Sequence, residues 1–234
     1  MKGIFVTGTD TGVGKTRVCG LLEGFLRGRG LRAVSQKWVE TGCGGHPEDL
    51  AAHWRLSGAP GPPAGEAMDD LCPYRFRLPA SPHLAAAREG RRVEAAVIGA
   101  AFRRLSERYD AVIVEGAGGF LVPLAEGLLT GDLVARLGLP VLLVVGNRLG
   151  CVNHALLAVE AVRRRGIALL GLVFNRTEGS AGTDAEVLAD NPRAVAEASG
   201  APVLGELPFL PAGERGAEAF APIGDAFLSR WRPS

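Results

Sequence analysis

Lysine is almost missing from this chain: of 26 basic residues only Lys2, Lys15 and Lys37 are lysine, and the rest are arginine. Cysteine is nearly as scarce. Cys19, Cys43, Cys72 and Cys151 stand far apart with no C-x-x-C pair, so neither a zinc site nor a disulfide framework is indicated. Formal charge is close to balanced at +1, which offers no argument for a nucleic-acid or membrane surface as partner. Long apolar runs are absent too: Leu139–Val145 is far shorter than the roughly 20 residues a spanning helix needs. No G-x-S-x-G occurs, which leaves covalent hydrolase chemistry poorly supported. No secretory segment precedes the first apolar strand, so a cytoplasmic location is expected.

What is there reads as an ordinary globular core, 47% hydrophobic and 22% charged over 234 residues. Length and composition fit a single α/β domain spanning residues 1–234. The most informative stretch is GTDTGVGKT, residues 8–16. It ends like a phosphate-binding loop, although G-x-x-x-x-G-K-[ST] wants a glycine where Thr9 stands. Gly3–Thr7 before it reads as a buried strand. Val18, Leu21, Leu22 and Phe25 after it fall on one helical face, with Gly28 and Gly30 at its end. A loop between a strand and a helix N-terminus collects unpaired N–H groups and a favourable dipole for an anion. Gly12 and Gly14 let the backbone curl inward, Lys15 neutralises phosphate charge, and the Thr16 hydroxyl is suited to Mg²⁺. Lysine surviving at Lys15 and Lys37 in an arginine-rich chain marks Lys37 as a second candidate, because ammonium and guanidinium are not interchangeable at phosphate.

Further strands are expected at Arg32–Lys37, Ala111–Glu115, Val141–Gly146, Leu169–Asn175 and Val203–Glu206. Helical periodicity falls between them at Asp49–Leu56, Val93–Arg108, Asn153–Arg165 and Asp184–Ser199, with a last helix near Glu218–Trp231. Strands and helices alternating in this way predict a mostly parallel sheet covered by helices on both faces, with ligands beyond the carboxyl ends of the strands. Ser57–Pro82, rich in Pro and Gly, reads as an irregular loop or insertion. Glu115, closing an apolar strand, is an expensive place for an unpaired charge, so a metal partner is its natural explanation. Gly116, Gly118 and Gly119 allow close backbone approach there. Asp49 reads equally as a second metal oxygen or as a carboxylate favoured by the dipole at its helix start.

Gly8–Thr16, Lys37–Gly42, Ser81–His83, Val114–Gly119 and Leu149–His154, in this order and spacing, together resemble the dethiobiotin synthetase family, over nearly the whole chain. The resemblance implies an ATP-dependent ligase that carboxylates 7,8-diaminopelargonate with CO₂ (or bicarbonate) and closes the cyclic urea. A carbamate would take the γ-phosphoryl group, and the neighbouring amine would expel phosphate. Carried onto this sequence, Lys15, Lys37 and Thr11 would be catalytic, and Thr16, Asp49 and Glu115 would hold Mg²⁺. Gly12, Val13, Gly14, Arg17, Gly116, Ala117 and Gly118 would line the ATP site. Asn175 and Arg176 would meet the base, walled by Pro208, Phe209 and Leu210. Thr41 would touch substrate, and Gly150, Cys151, Val152 and Asn153 would hold its carboxylate from the partner subunit of a homodimer. Ser81 and His83 would shape a substrate loop. The chain departs from the family at Trp38, where proline is usual.

Two other classes compete. Partition or septum-positioning ATPases share this loop, but they carry a lysine where this chain has Asp10. A GTP switch is suggested faintly by Asn175-Arg-Thr-Glu178, yet the lysine and aspartate of N-K-x-D are both replaced.

Overall fold

Ile4 and Val6 of the first strand pack into one apolar cluster and Phe5 into another, and all three are fully buried. This is the period-two alternation of a strand covered on both faces, and it explains why the strand reads as one continuous apolar run. The computed structural model describes residues 2–211 and 214–232. In chain order its elements are β1 (Gly3–Gly8), α1 (Lys15–Gly28), β2 (Ala33–Lys37), β3 (Val39–Thr41), α2 (Glu48–Ser57), α3 (Met68–Leu71), β4 (Tyr74–Phe76) and α4 (Pro82–Arg88). Then follow α5 (Ala95–Arg108), β5 (Ala111–Gly119), β6 (Pro123–Ala125), β7 (Leu128–Leu129), α6 (Thr130–Leu137), β8 (Val141–Gly146) and α7 (Cys151–Arg163). The chain continues through β9 (Leu169–Asn175), α8 (Ala185–Ser199), β10 (Val203–Leu207) and α9 (Ala217–Leu228).

Six parallel strands form the central sheet in the order β10-β9-β8-β1-β5-β2. Ile4 and Val6 face α1 (Val18, Leu22) and α9 (Phe220, Phe227), whereas Phe5 shares its cluster with Ile98 and Leu105 of α5. On the β8–β9 side, Leu143 and Phe174 pack with Val159 of α7 and Val195 of α8. Register does the positioning. Lys37 of β2 lies opposite Glu115 of β5, Val6 of β1 lies opposite Glu115 from the other side, and Gly146 of β8 lies opposite Asn175 of β9.

The expected six strands and the helices between them are present, with three differences. First, β5 does not stop at Glu115 but runs to Gly119. Gly116 lies so close to the ring of Phe5 that a Cβ there would come within 2.7 Å, so glycine is needed at that position of the strand, while Gly118 has a left-handed φ of 67°. Second, 57–82 is not wholly irregular. It contains α3 and β4, with Leu71, Cys72, Tyr74 and Phe76 buried, and β4 pairs in parallel with β3. Tyr74-Arg75-Phe76 alternates as a strand should, but three residues give little periodicity to read beside the surrounding prolines and glycines. Third, α4, α6 and the β6–β7 hairpin are additional short elements.

Candidate active site

The loop at residues 8–14 turns because glycine permits it. Gly12 and Gly14 have φ of 76° and 98°, the left-handed region, and Gly14 is the cap from which α1 starts at Lys15. A side chain at Gly14 would also collide with Asn175, whose Nδ2 lies 2.1 Å from the Cβ position. Asn175 donates from Nδ2 to the Val13 carbonyl at 2.9 Å and so ties the loop to the end of β9. Its Oδ1 is buried with no partner among the described residues.

Two cavities meet at this loop. The first is lined by Gly12, Val13, Gly14, Arg17, Asn175, Arg176, Phe209 and Leu210, with Asp10 and Arg148 beside them. The second is lined by Thr11, Lys15, Thr16, Lys37, Thr41, Asp49, Glu115, Ala117 and Gly118, with Ser81 and Pro82 at its wall. The strand ends thus bring together most of the residues singled out from sequence. Arg17 reaches the carbonyls of Leu210 and Glu214, and Arg176 pairs with Glu206 at 2.7 Å. Both guanidiniums therefore brace the walls of the first cavity. Gly116 contributes its carbonyl to Lys37 at 3.3 Å. Pro208 lines neither cavity, and His83 lines a separate one beside β6 and β7. Gly150, Cys151, Val152 and Asn153 begin α7 and also lie outside both cavities of their own chain.

At the floor of the second cavity three oxygens converge. The Thr16 hydroxyl lies 3.1 Å from Asp49 Oδ1 and 3.1 Å from Glu115 Oε1, and its single proton serves one of them at a time. Lys37 Nζ sits 2.6 Å from Asp49 Oδ2 and 2.6 Å from Glu115 Oε1. Lys37 and Glu115 are 4% and 1% exposed, so water contributes almost nothing to either charge. Burial opposes the Lys37 ammonium, but the attraction of Glu115 and Asp49 outweighs it and holds the pKa above its ordinary value. Burial likewise opposes the Glu115 carboxylate. Lys37 and a hydrogen bond from His53 overcome it and hold the group below the usual carboxylate range. Both groups stay ionised across neutral pH. Lys15 differs: burial draws its pKa down, partly offset by Glu115, and its ammonium donates to the Asp10 carbonyl at 2.9 Å.

Trp38 does not disturb this arrangement. It is 1% exposed, its ring lies 4.8 Å from that of Phe5, and its indole N–H donates to Gln36 Oε1 at 3.1 Å. Packing anchors the backbone between β2 and β3, and Lys37 still points at the carboxylates. Two residues went unnoticed in the sequence. Glu40 accepts from the Asp49 amide at 3.0 Å and caps α2, and burial raises its pKa to about 7. His53, one helical turn beyond Asp49, is fully buried with Nε2 2.6 Å from Glu115 Oε2. The i,i+4 spacing from Asp49 was the available signal.

A glycine-shaped loop leading into a helix, with lysine, threonine and two carboxylates at parallel strand ends, defines an α/β P-loop nucleotide-binding protein. A family model described as an AAA domain matches residues 2–215. The chain is 41% identical over 221 residues to the ATP-dependent dethiobiotin synthetase of Chlorobaculum tepidum, covering 94% of this chain and 91% of that one. It is 48% identical over 178 residues to the synthetase of the same name from Anaeromyxobacter dehalogenans, covering 76% and 78%. The chain belongs to the ATP-dependent dethiobiotin synthetase family. Among solved structures, the septum site-determining protein MinD of Pyrococcus horikoshii, complexed with Mg-ADP, superposes with a TM-score of 0.63. It covers 96% of this chain and 94% of that one at 15% identity, a likeness of fold alone. No described helix is long and apolar enough to cross a membrane.

Proposed function

We propose that this chain makes dethiobiotin from 7,8-diaminopelargonate, CO₂ and ATP, releasing ADP and phosphate. One amine of the diamine adds to CO₂ as a carbamate, and a carbamate oxygen displaces ADP from the γ-phosphorus. The second amine then attacks the carbonyl carbon of the mixed anhydride, closing the five-membered urea and expelling phosphate. The observation that carries this reading is a pair of cavities that share the loop residues Thr11, Gly12 and Gly14. One is walled by Asn175 and Phe209, and the other by Thr41 and the two cations Lys15 and Lys37.

In this reading the first cavity takes ATP. The orphaned Asn175 Oδ1 suits the amino group of adenine, since a buried acceptor without a donor is costly. Thr16, Asp49 and Glu115 would hold Mg²⁺. A hydroxyl and two carboxylates are the hard oxygen donors the ion prefers, and the Lys37 ammonium between the carboxylates marks a place fit for positive charge. When bound, the ion supplies charge neutralisation at the phosphates. Lys15 and Lys37 carry cations to the side of the junction where charge grows during transfer. The Thr11 and Thr41 hydroxyls would hold the diamine and its carbamate. Phosphate release should therefore require the diamine and CO₂ or bicarbonate together. Release that ignores the diamine and responds instead to DNA or lipid would favour a positioning ATPase.

The reading includes a two-fold dimer in which Gly150–Asn153 complete the partner's substrate site. Supporting it, this segment lies outside both of the cavities described above, and the neighbouring Leu149 and Leu157 are 73% and 57% exposed. A helix N-terminus suits a substrate carboxylate. Light scattering at assay concentration should give twice the chain mass, and a fully active monomer would remove this part.

A further inference from the structure

We propose that His53 is a positioning residue for Glu115, an inference that rests on the ATP-and-metal reading of the site. The two oxygens of Glu115 are used differently. Oε1 faces Thr16 and Lys37, while Oε2 receives His53 at 2.6 Å. An ionised carboxylate only accepts, so His53 Nε2 carries the proton and donates. A carboxylate gripped at one oxygen cannot rotate the other away from the cavity.

Space filling alone does not explain a histidine here. His53 is fully buried, and its Nδ1 has no partner among the described residues. An unsatisfied buried nitrogen is a cost that a leucine at the same place would avoid. The neighbouring Cys19 thiol is fully buried as well and brings only a weak hydrogen-bonding group near the imidazole. The helices are built to bring the ring in. A Cβ on Gly20 of α1 would come within 3.0 Å of the His53 backbone and 2.7 Å of Leu56, so glycine there lets α2 press against α1. Helix α2 then delivers Asp49 and His53, one turn apart, to the same carboxylate-and-hydroxyl cluster. His53 thereby sets the direction of Glu115 Oε1 and, with it, the metal affinity of the Thr16, Asp49 and Glu115 group.

The test compares His53→Leu, which fills the space without a donor, with His53→Gln, whose amide N–H reaches about as far as Nε2. Mn²⁺ binding in the presence of ADP, read by electron paramagnetic resonance, is the measurement, with melting temperature recorded for each variant. His53→Leu should weaken Mn²⁺ binding about 10–100-fold, the range for removing a partner that orients a ligand, while metal-free ADP binding stays unchanged. His53→Gln should bind Mn²⁺ close to wild type. Equal Mn²⁺ affinity in wild type and His53→Leu would overturn the proposal, and so would equal losses in both variants. If His53→Leu does not fold, His53→Asn, too short to reach Oε2, takes its place with the same expectation. Thr16→Ala separates the two levels of inference. Mn²⁺ binding that is indifferent to Thr16 overturns the metal site itself, and the proposal with it. Binding lost in Thr16→Ala but kept in His53→Leu overturns the role of His53 alone.

Discussion

Lys37→Gln should lower turnover about a hundred- to a thousandfold, the usual cost of removing one preorganised donor at developing charge. ADP should still bind, because the loop at residues 8–14 and Asn175 are untouched. The structure adds a consequence for stability. Glu115 is 1% exposed and Lys37 is its cationic partner, so the variant leaves a buried carboxylate without its counter-charge. Breaking a buried pair from one side costs about 3–5 kcal/mol. The nucleotide-free variant should melt well below wild type, and ADP with Mg²⁺ should raise its melting temperature more than it raises that of the parent. Lys37→Arg should also fail, since a planar fork does not fit where one compact ammonium sits 2.6 Å from each of two carboxylates. Steady-state kinetics and thermal melts with and without Mg²⁺ and ADP check both halves. An unchanged turnover in Lys37→Gln would reduce Lys37 to a structural counter-ion.

Glu115→Gln should be nearly as damaging by a different route. The amide keeps the shape but not the charge, and its NH₂ would face a hydroxyl, an ammonium or the imidazole N–H. Lys37 would then be left with Asp49, whose side chain is 35% exposed, as its remaining anion. If the metal contributes roughly 3 kcal/mol to the transition state, losing its buried ligand slows turnover about a hundredfold. The Mg²⁺ concentration for half-maximal rate should rise at the same time, which separates this variant from Lys37→Gln. A variant with normal Mg²⁺ dependence and a merely lowered melting point would show that Glu115 serves only the fold.

The sheet was legible because β1, β8 and β9 are buried on both faces and so are written as unbroken apolar runs. The site was legible where chemistry demanded unusual residues: glycines at positive φ, a lysine beside a threonine, and a carboxylate closing an apolar segment. Three-residue strands such as β3 and β4 have no such signal, for their pairing depends on where the chain returns. Glu40 and His53 stayed hidden for the same reason. Glu40 matters through the Asp49 amide across an intervening loop, and His53 through Glu115 on a different element. A lone histidine on a helix face reads as an ordinary core residue until Glu115 is seen 2.6 Å away. Trp38 shows the reverse case: a departure from the family's proline is absorbed by packing against Phe5.

Tracing oxygen tests the account most directly. The protein is mixed with ATP, 7,8-diaminopelargonate and CO₂ carrying ¹⁸O, and the released phosphate is analysed before the label exchanges with water. If a carbamate oxygen attacks the γ-phosphorus, each phosphate leaves with one ¹⁸O and the cyclic urea retains the other. Phosphate free of label, its new oxygen drawn from water, would mean that ATP is simply hydrolysed here and would contradict the ligase reading.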